Sequence, residues 1–164
     1  MLNFGMSPPF SAEQFLNMCV GLIPQQDIDI LKESCNIGTA GFYDGPSPVL
    51  KKWCSFNIAL NNEIVKIIAA RRHISPEKYL RNDGYSSFDV AHIAISSHRN
   101  PSLIEGEITL DQARWNYLEE LSFGHYFDLG CLLIYLQKLL ILERWHRINT
   151  ANKPELLDSV LIKG

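Results

Sequence analysis

His125 and Asp128, in the run S-F-G-H-Y-F-D, are the residue types and spacing best suited to acid–base chemistry in this chain of 164 residues. An imidazole titrates near neutrality, and a carboxylate three residues on can orient it or balance its charge. Both fall in a linker, and linkers on a rigid scaffold are where binding and catalytic groups concentrate. Glu143 is the second carboxylate to weigh. At helical spacing it lies below Leu132, Leu136 and Leu139, at the mouth of an apolar face where burial tunes an acid. One reading is therefore a small all-α enzyme using His125 with Asp128 or Glu143. The stronger reading is structural: His125 is a hydrogen-bonded loop residue ahead of a capping Asp, and Glu143 pairs with Arg147 one turn on.

Other chemistry is sparse. His92 and His98 are six apart, on different faces of a helix, with no carboxylate or cysteine at ligand spacing. Cys19, Cys35, Cys54 and Cys131 are scattered, with no C-x-x-C and no zinc spacing. The glycines at 38, 41 and 45 lack the G-x-x-x-x-G-K-[ST] pattern and a leading strand. No G-x-S-x-G elbow occurs. No cofactor or metal is expected.

The elements that must position these residues are helical. Leu129 to Trp145 is the most apolar stretch, with Leu129, Leu132, Leu136, Leu139 and Leu140 at intervals of three and four. A span of the bilayer takes roughly 18 or more apolar residues in a row, and Gln137-Lys138 interrupt this one. It reads as a buried core helix over about 128–146. Asp128 is its N-cap, with Phe127 and Leu132 as a hydrophobic staple.

Ser11 to Gln14 (S-A-E-Q) forms a capping box with Phe10 and Phe15 as staple, opening a first helix that carries Phe15, Leu16, Met18, Cys19 and Leu22 inward and stops at Pro24. A second helix follows over Q-Q-D-I-D-I-L-K-E-S-C. The Gly- and Pro-rich loop 36–48 separates this helical pair from the main bundle. Ser47-Pro48 starts a long helix to Arg72. Ser75-Pro76 starts a short one ended at Asn82-Asp83-Gly84, and Ser87 caps another. Thr109 to Gln112 (T-L-D-Q) is a further capping box before Ala113 to Leu121, and Asn152-Lys153-Pro154 opens a last amphipathic helix. The expectation is one all-α domain over 1–164, of about eight helices. Arg114 shares a face with Leu110, Tyr117 and Leu121, and its level falls nearer Tyr135 than Glu143.

A formal net charge of −3 argues against a nucleic-acid coat, which shows a basic footprint. Unpaired cysteines and a start without a basic region and long apolar run point to the cytosol. Lys51 and Lys52 are out of place for helix stability. They sit in the first turn, where positive charge opposes the dipole. With Trp53 just beyond, the three are a candidate partner-binding surface.

Four runs carry a resemblance. These are F-G-M-x-P-P-F-S-x-E-Q-F-L (Phe4 to Leu16), P-E-K-Y-L (Pro76 to Leu80), R-W-x-Y-L-E-E-L-x-F-G-H-Y-F-D-L (Arg114 to Leu129) and L-L-x-Y-L-x-K-L-x-I-L-E-R-W (Leu132 to Trp145). Together they resemble a bacterial family of proteins similar to the C subunit of V-type ATPases, which is the d subunit of vacuolar enzymes. The resemblance implies a non-catalytic, all-helical component that passes torque between the soluble motor and the membrane. Its partners would be the central-stalk subunits and the membrane rotor ring. Its place would be cytoplasmic, peripheral to the inner face of the membrane, with no transmembrane segment of its own. Family members carry further sequence ahead of the P-P-F-S block, so this reading has the chain lacking an amino-terminal portion. The chain is also much shorter than a full-length C subunit, so the three-lobed socket architecture is not carried over. A helical adaptor unrelated to any ATPase is the third reading.

Overall fold

The computed structural model describes residues 2–38, 41–82 and 88–161, with side chains over the last stretch described for 89–151. Within these residues the protein is all-α: α1 (Ala12–Cys19), α2 (Gln25–Ile37), α3 (Pro48–Arg72), α4 (Phe88–Arg99), α5 (Leu103–Ser122) and α6 (Leu129–Leu161), with a 3-10 turn at Glu77–Tyr79. Helix α6 packs against α1, α2, α3 and α5, while α4 is held between α3 and α5. Ion pairs from Glu119 to Lys138 and from Asp111 to Arg144 run in opposite chain directions, so α5 and α6 are antiparallel.

Two helix starts written in short local patterns, those of α1 and α3, form as expected. Ser11 accepts from the Gln14 amide at 3.1 Å and Gln14 returns the bond to the Ser11 amide at 2.8 Å, closing the capping box. The Phe10 and Phe15 rings stack 6.4 Å apart and meet Tyr135 of α6. Ser47 caps α3 through the Leu50 amide at 3.3 Å, with Pro48 in its first turn.

Among the described residues six helices stand where about eight are expected: the start at Asn152-Lys153-Pro154 lies inside α6, and the segment after Ser75-Pro76 forms no α-helix, while the start at Thr109 lies inside an α5 that begins earlier. Helix α5 begins at Leu103, capped by Ser102 through the Glu105 amide at 3.3 Å. Thr109 is thus interior, and its hydroxyl bonds back to the Glu105 carbonyl at 2.9 Å. Helix α6 runs unbroken through Pro154 for 33 residues, about 50 Å at 1.5 Å per residue. The segment after Ser75-Pro76 makes only the 3-10 turn, and the Asn62 amide pins it to α3 with two bonds to the Arg81 backbone, 2.7 and 3.0 Å. The expected cap at Ser87 and the stop at Asp83-Gly84 lie outside the described residues. Helix α1 ends at Cys19, before Pro24, where Gly21 turns the chain with φ +80°. Leu22, beyond that end, faces solvent, and Met18 lies off the inward face of α1 that runs through Ala12, Phe15 and Cys19, so neither joins the core.

The core joins Phe15 and Cys19 of α1 and Ile28 and Leu31 of α2 to Leu133, Leu136, Leu139 and Leu142 of α6 and to Trp53, Phe56 and Leu60 of α3. Gln137 and Lys138, the polar interruption in the apolar run, are themselves buried. Gln137 donates to the Ser34 carbonyl of α2 at 3.3 Å, and Lys138 reaches Glu119 of α5 at 2.7 Å with its ammonium over the Trp115 ring. They fasten α6 to α2 and α5, and each polar head has a partner. Gly106 lets α5 approach α4: a Cβ there would stand 2.8 Å from the Ser97 carbonyl oxygen, and the Ser97 hydroxyl bonds to the Gly106 carbonyl. No helix among the described residues is long and apolar enough to cross a membrane.

Candidate functional site

The α5–α6 hairpin turns through 123–128. Phe123 ends α5, Gly124 takes φ +87°, and the His125 amide returns to the Ser122 carbonyl at 3.1 Å. Asp128 caps α6 as the sequence predicts, accepting from the Cys131 amide at 2.9 Å. The staple does not form. Phe127 is fully exposed, Phe123 is 88% exposed, and Tyr126 is exposed with them. The turn is short and its backbone is committed to closing the hairpin, and these three rings are left in solvent.

His125 and Asp128 do meet, Nδ1 to Oδ2, at 2.5 Å. The imidazole lies against Gly130, where a Cβ would collide with the ring. The bond from His125, then the bond from the Cys131 amide, hold the Asp128 carboxyl below the usual aspartate range. Asp128 is thus ionised and doubly engaged, with both partners in reach of solvent. Because its folded-state pKa lies below its unfolded value, its charge adds stability above the ordinary value of 3.8. That increment is lost as pH falls through the folded pKa. Asp128→Asn keeps a capping oxygen but not the charge. Wild type should therefore melt higher than the variant near neutral pH, with the gap closing on acidification below 3.8. A gap that stays constant through thermal melts across that range would show that the charge contributes nothing.

The pair stands on the wall of an open cleft of about 670 Å³ formed by the first turns of α2, α3 and α6. Ile30, Val49 and Leu129 give it apolar walls. Asp27, Asp29 and Asp128 supply its charge, and no lysine or arginine lines it. Asp29 is steadied by the Gln25 amide at 2.8 Å.

The other candidate residues separate. Glu143 is nowhere near His125. It accepts from the Ala12 amide at 2.9 Å and so caps the first turn of α1 across 131 residues of sequence, in place of the expected pair with Arg147. Trp53 is 3% exposed and stacks on Phe56. As an anchoring ring for a partner it is therefore corrected to core, because the inward face of α3 runs through Val49, Leu50, Trp53, Cys54 and Asn57. Lys51 and Lys52 are exposed. Lys51 has Asp44 at 3.9 Å, which offsets part of the cost of placing it against the helix dipole. All four cysteines are free thiols, and burial pushes that of Cys54 up to about 11.

What the sequence does not announce is a polar cluster inside the bundle. Asp111 is 1% exposed and Arg114 4%. Arg114 donates to Asp111 at 2.7 Å and to Asn57 of α3 at 2.9 Å. From α6, Arg144 and the Trp145 indole reach the other Asp111 oxygen at 2.7 and 2.9 Å, and Arg144 also bonds Glu107 at 2.5 Å. Burial works against the Arg144 charge, but Glu107 and Asp111 outweigh it and hold its pKa above the ordinary arginine value. The cluster ties α3, α5 and α6 with charge-assisted bonds. Among the described residues no group of three or more His, Cys, Asp or Glu could hold a metal ion.

A family model described as "Protein of unknown function (DUF2764)" matches residues 88–161, which take in α4, the α5–α6 hairpin and its exposed turn. No curated protein and no solved structure matches the chain.

Proposed function

We propose that this chain is a non-catalytic assembly component of a V-type ATPase, similar to the C subunit of such enzymes, working at the junction of the central stalk and the membrane rotor. The observation that carries the reading is the state of the H-Y-F-D-L block on which the sequence resemblance rests. Its His125 and Asp128 side chains cap and orient the start of α6, while its aromatic members, with Phe123, stand exposed on a braced hairpin. Exposed aromatic clusters held on rigid elements mark protein contact surfaces. A component that transmits torque needs such a surface on a stiff lever, and the Asp111–Arg114–Arg144 cluster supplies stiffness to the α5–α6 pair.

The His125–Asp128 contact on a cleft wall is the one observation on the side of an enzyme. Asp128 spends an oxygen on the helix cap, and the imidazole is braced against Gly130. Hydrogen-bonded capping explains both without chemistry. The test is association: the full chain should co-elute with the purified V-type ATPase of its source organism. Complexes assembled without it should hydrolyse ATP with reduced coupled ion pumping. Failure to associate at both low and moderate salt, with pumping unchanged, would return the protein to the class of unrelated helical adaptors or enzymes.

A further inference from the structure

We infer that the turn 123–128 and the acidic cleft beside it form one docking surface, and that its occupant is a partner helix carrying lysine or arginine beside apolar side chains. The inference deepens the reading as an assembly component and rests on it only for the partner's identity. Two features of opposite kind are continuous in the chain. Phe123, Tyr126 and Phe127 present exposed apolar area to water, a cost that a covered surface would remove. His125, Asp128, Leu129 and Gly130, interleaved with and following those rings, line the cleft. There Asp27, Asp29 and Asp128 face a shared space without a lysine or arginine among the lining residues. Asp128 is held ionised by the bonds already described, so its charge persists whenever a partner arrives.

The dipoles of three helix starts soften this charge but do not cancel it. Each contributes about half a positive charge at most, against three carboxylates. Apolar walls, three carboxylates and exposed rings in the adjoining turn together select an amphipathic, basic segment. A bilayer rich in anionic lipid meets the same rings but is repelled by the same carboxylates, so charge complementarity favours the protein partner.

Two measurements separate this surface from the reading it rests on. In the first, backbone amide shifts of the full chain are followed by NMR on adding an amphipathic Leu/Lys peptide or a Leu/Glu peptide of equal length. The Leu/Lys peptide should shift residues 26–30 and 123–130, and the Leu/Glu peptide should not. Equal response to both, or shifts mapping elsewhere, overturns the proposal. So does a response of the ring residues to phosphatidylcholine/phosphatidylglycerol vesicles in place of the peptide, which would make the turn a lipid contact.

In the second, association with the purified ATPase is compared for wild type, for Phe123→Ala/Tyr126→Ala/Phe127→Ala, and for Asp27→Asn/Asp29→Asn. Circular dichroism should be unchanged for the exposed ring variant. It should bind at least tenfold more weakly, and the Asp pair should lose several-fold affinity and most of its salt dependence. Wild-type binding with both variants unaffected overturns the surface while leaving the ATPase reading standing. No wild-type binding, with the peptide response intact, does the reverse.

Discussion

Asp111→Ala is expected to lower folding stability by about 3–5 kcal/mol, the usual cost of breaking a buried ion pair by removing one partner. Asp111 and Arg114 are both almost wholly withdrawn from water, and Asp111 is the carboxylate that Arg114 and Arg144 share. Truncating it strips Arg114 of its counter-charge while leaving the guanidinium buried, with the Asn57 side-chain oxygen still accepting from it. It also orphans the Trp145 indole, whose partner is an Asp111 oxygen. Arg144 suffers least, since it is partly exposed and keeps Glu107.

The effect is one of imbalance more than of lost attraction, because desolvating two charges consumes much of what their pairing returns. A double variant, Asp111→Leu with Arg114→Met, should therefore recover a substantial part of the loss. Urea denaturation of the two single variants and the double gives the coupling directly. A loss below about 1 kcal/mol for Asp111→Ala, within the range of an exposed pair, would mean that water reaches the cluster and that it is not the brace assigned to it.

That cluster also shows where the sequence stops being readable. Patterns that act within one turn are legible: the Ser11–Gln14 box, the Phe10–Phe15 contact, Ser47-Pro48 opening α3, and Asp128 capping α6. Each is a bond between near neighbours, so its spacing is written in the chain. The same local pattern misleads at Thr109–Gln112, where T-L-D-Q lies inside a helix already nucleated and capped at Ser102. Taken as a start, it puts Asp111 in a solvent-facing first turn, when its partners are Arg114 one turn on and Arg144 on the next helix.

The relative level of the two helices is also misjudged when it is counted from Gly124. Counted from the helix ends, Asp111 lies eleven residues from Ser122 and Arg144 fifteen from Leu129. The remaining four residues, roughly 6 Å, are within the reach of an arginine side chain. Glu143 is unreadable for a different reason. Its partner is a backbone amide of α1, and a backbone donor leaves no mark on the sequence. Trp53 and Phe127 show the limit of residue type: both are large and apolar, and only the packing of α3 against α5 and α6 and the commitment of the turn decide which is core and which is surface.

Leu136→Ala should cost about 2–5 kcal/mol, as lost burial plus the cavity left behind. Leu136 is fully buried on α6, in the core shared with α1, α2 and α3. Its neighbours along the helix, Leu133 and Leu139, are as deeply buried. Gln137 and Lys138 pin the same turn to α2 and α5, so the surrounding backbone is not free to collapse into the space, and incomplete collapse is what puts such substitutions high in that range. Leu132 is the internal control. It is one turn earlier and is assigned to the same apolar stripe by spacing, but it is only partly buried. Leu132→Ala should lose less than Leu136→Ala, because water can already reach part of its side chain and refill what is vacated. Chemical denaturation of the two variants side by side decides the matter. Equal losses would mean that α6 is seated on a different face from the one through Leu133, Leu136 and Leu139. The hairpin that carries the exposed turn would then be aimed differently as well.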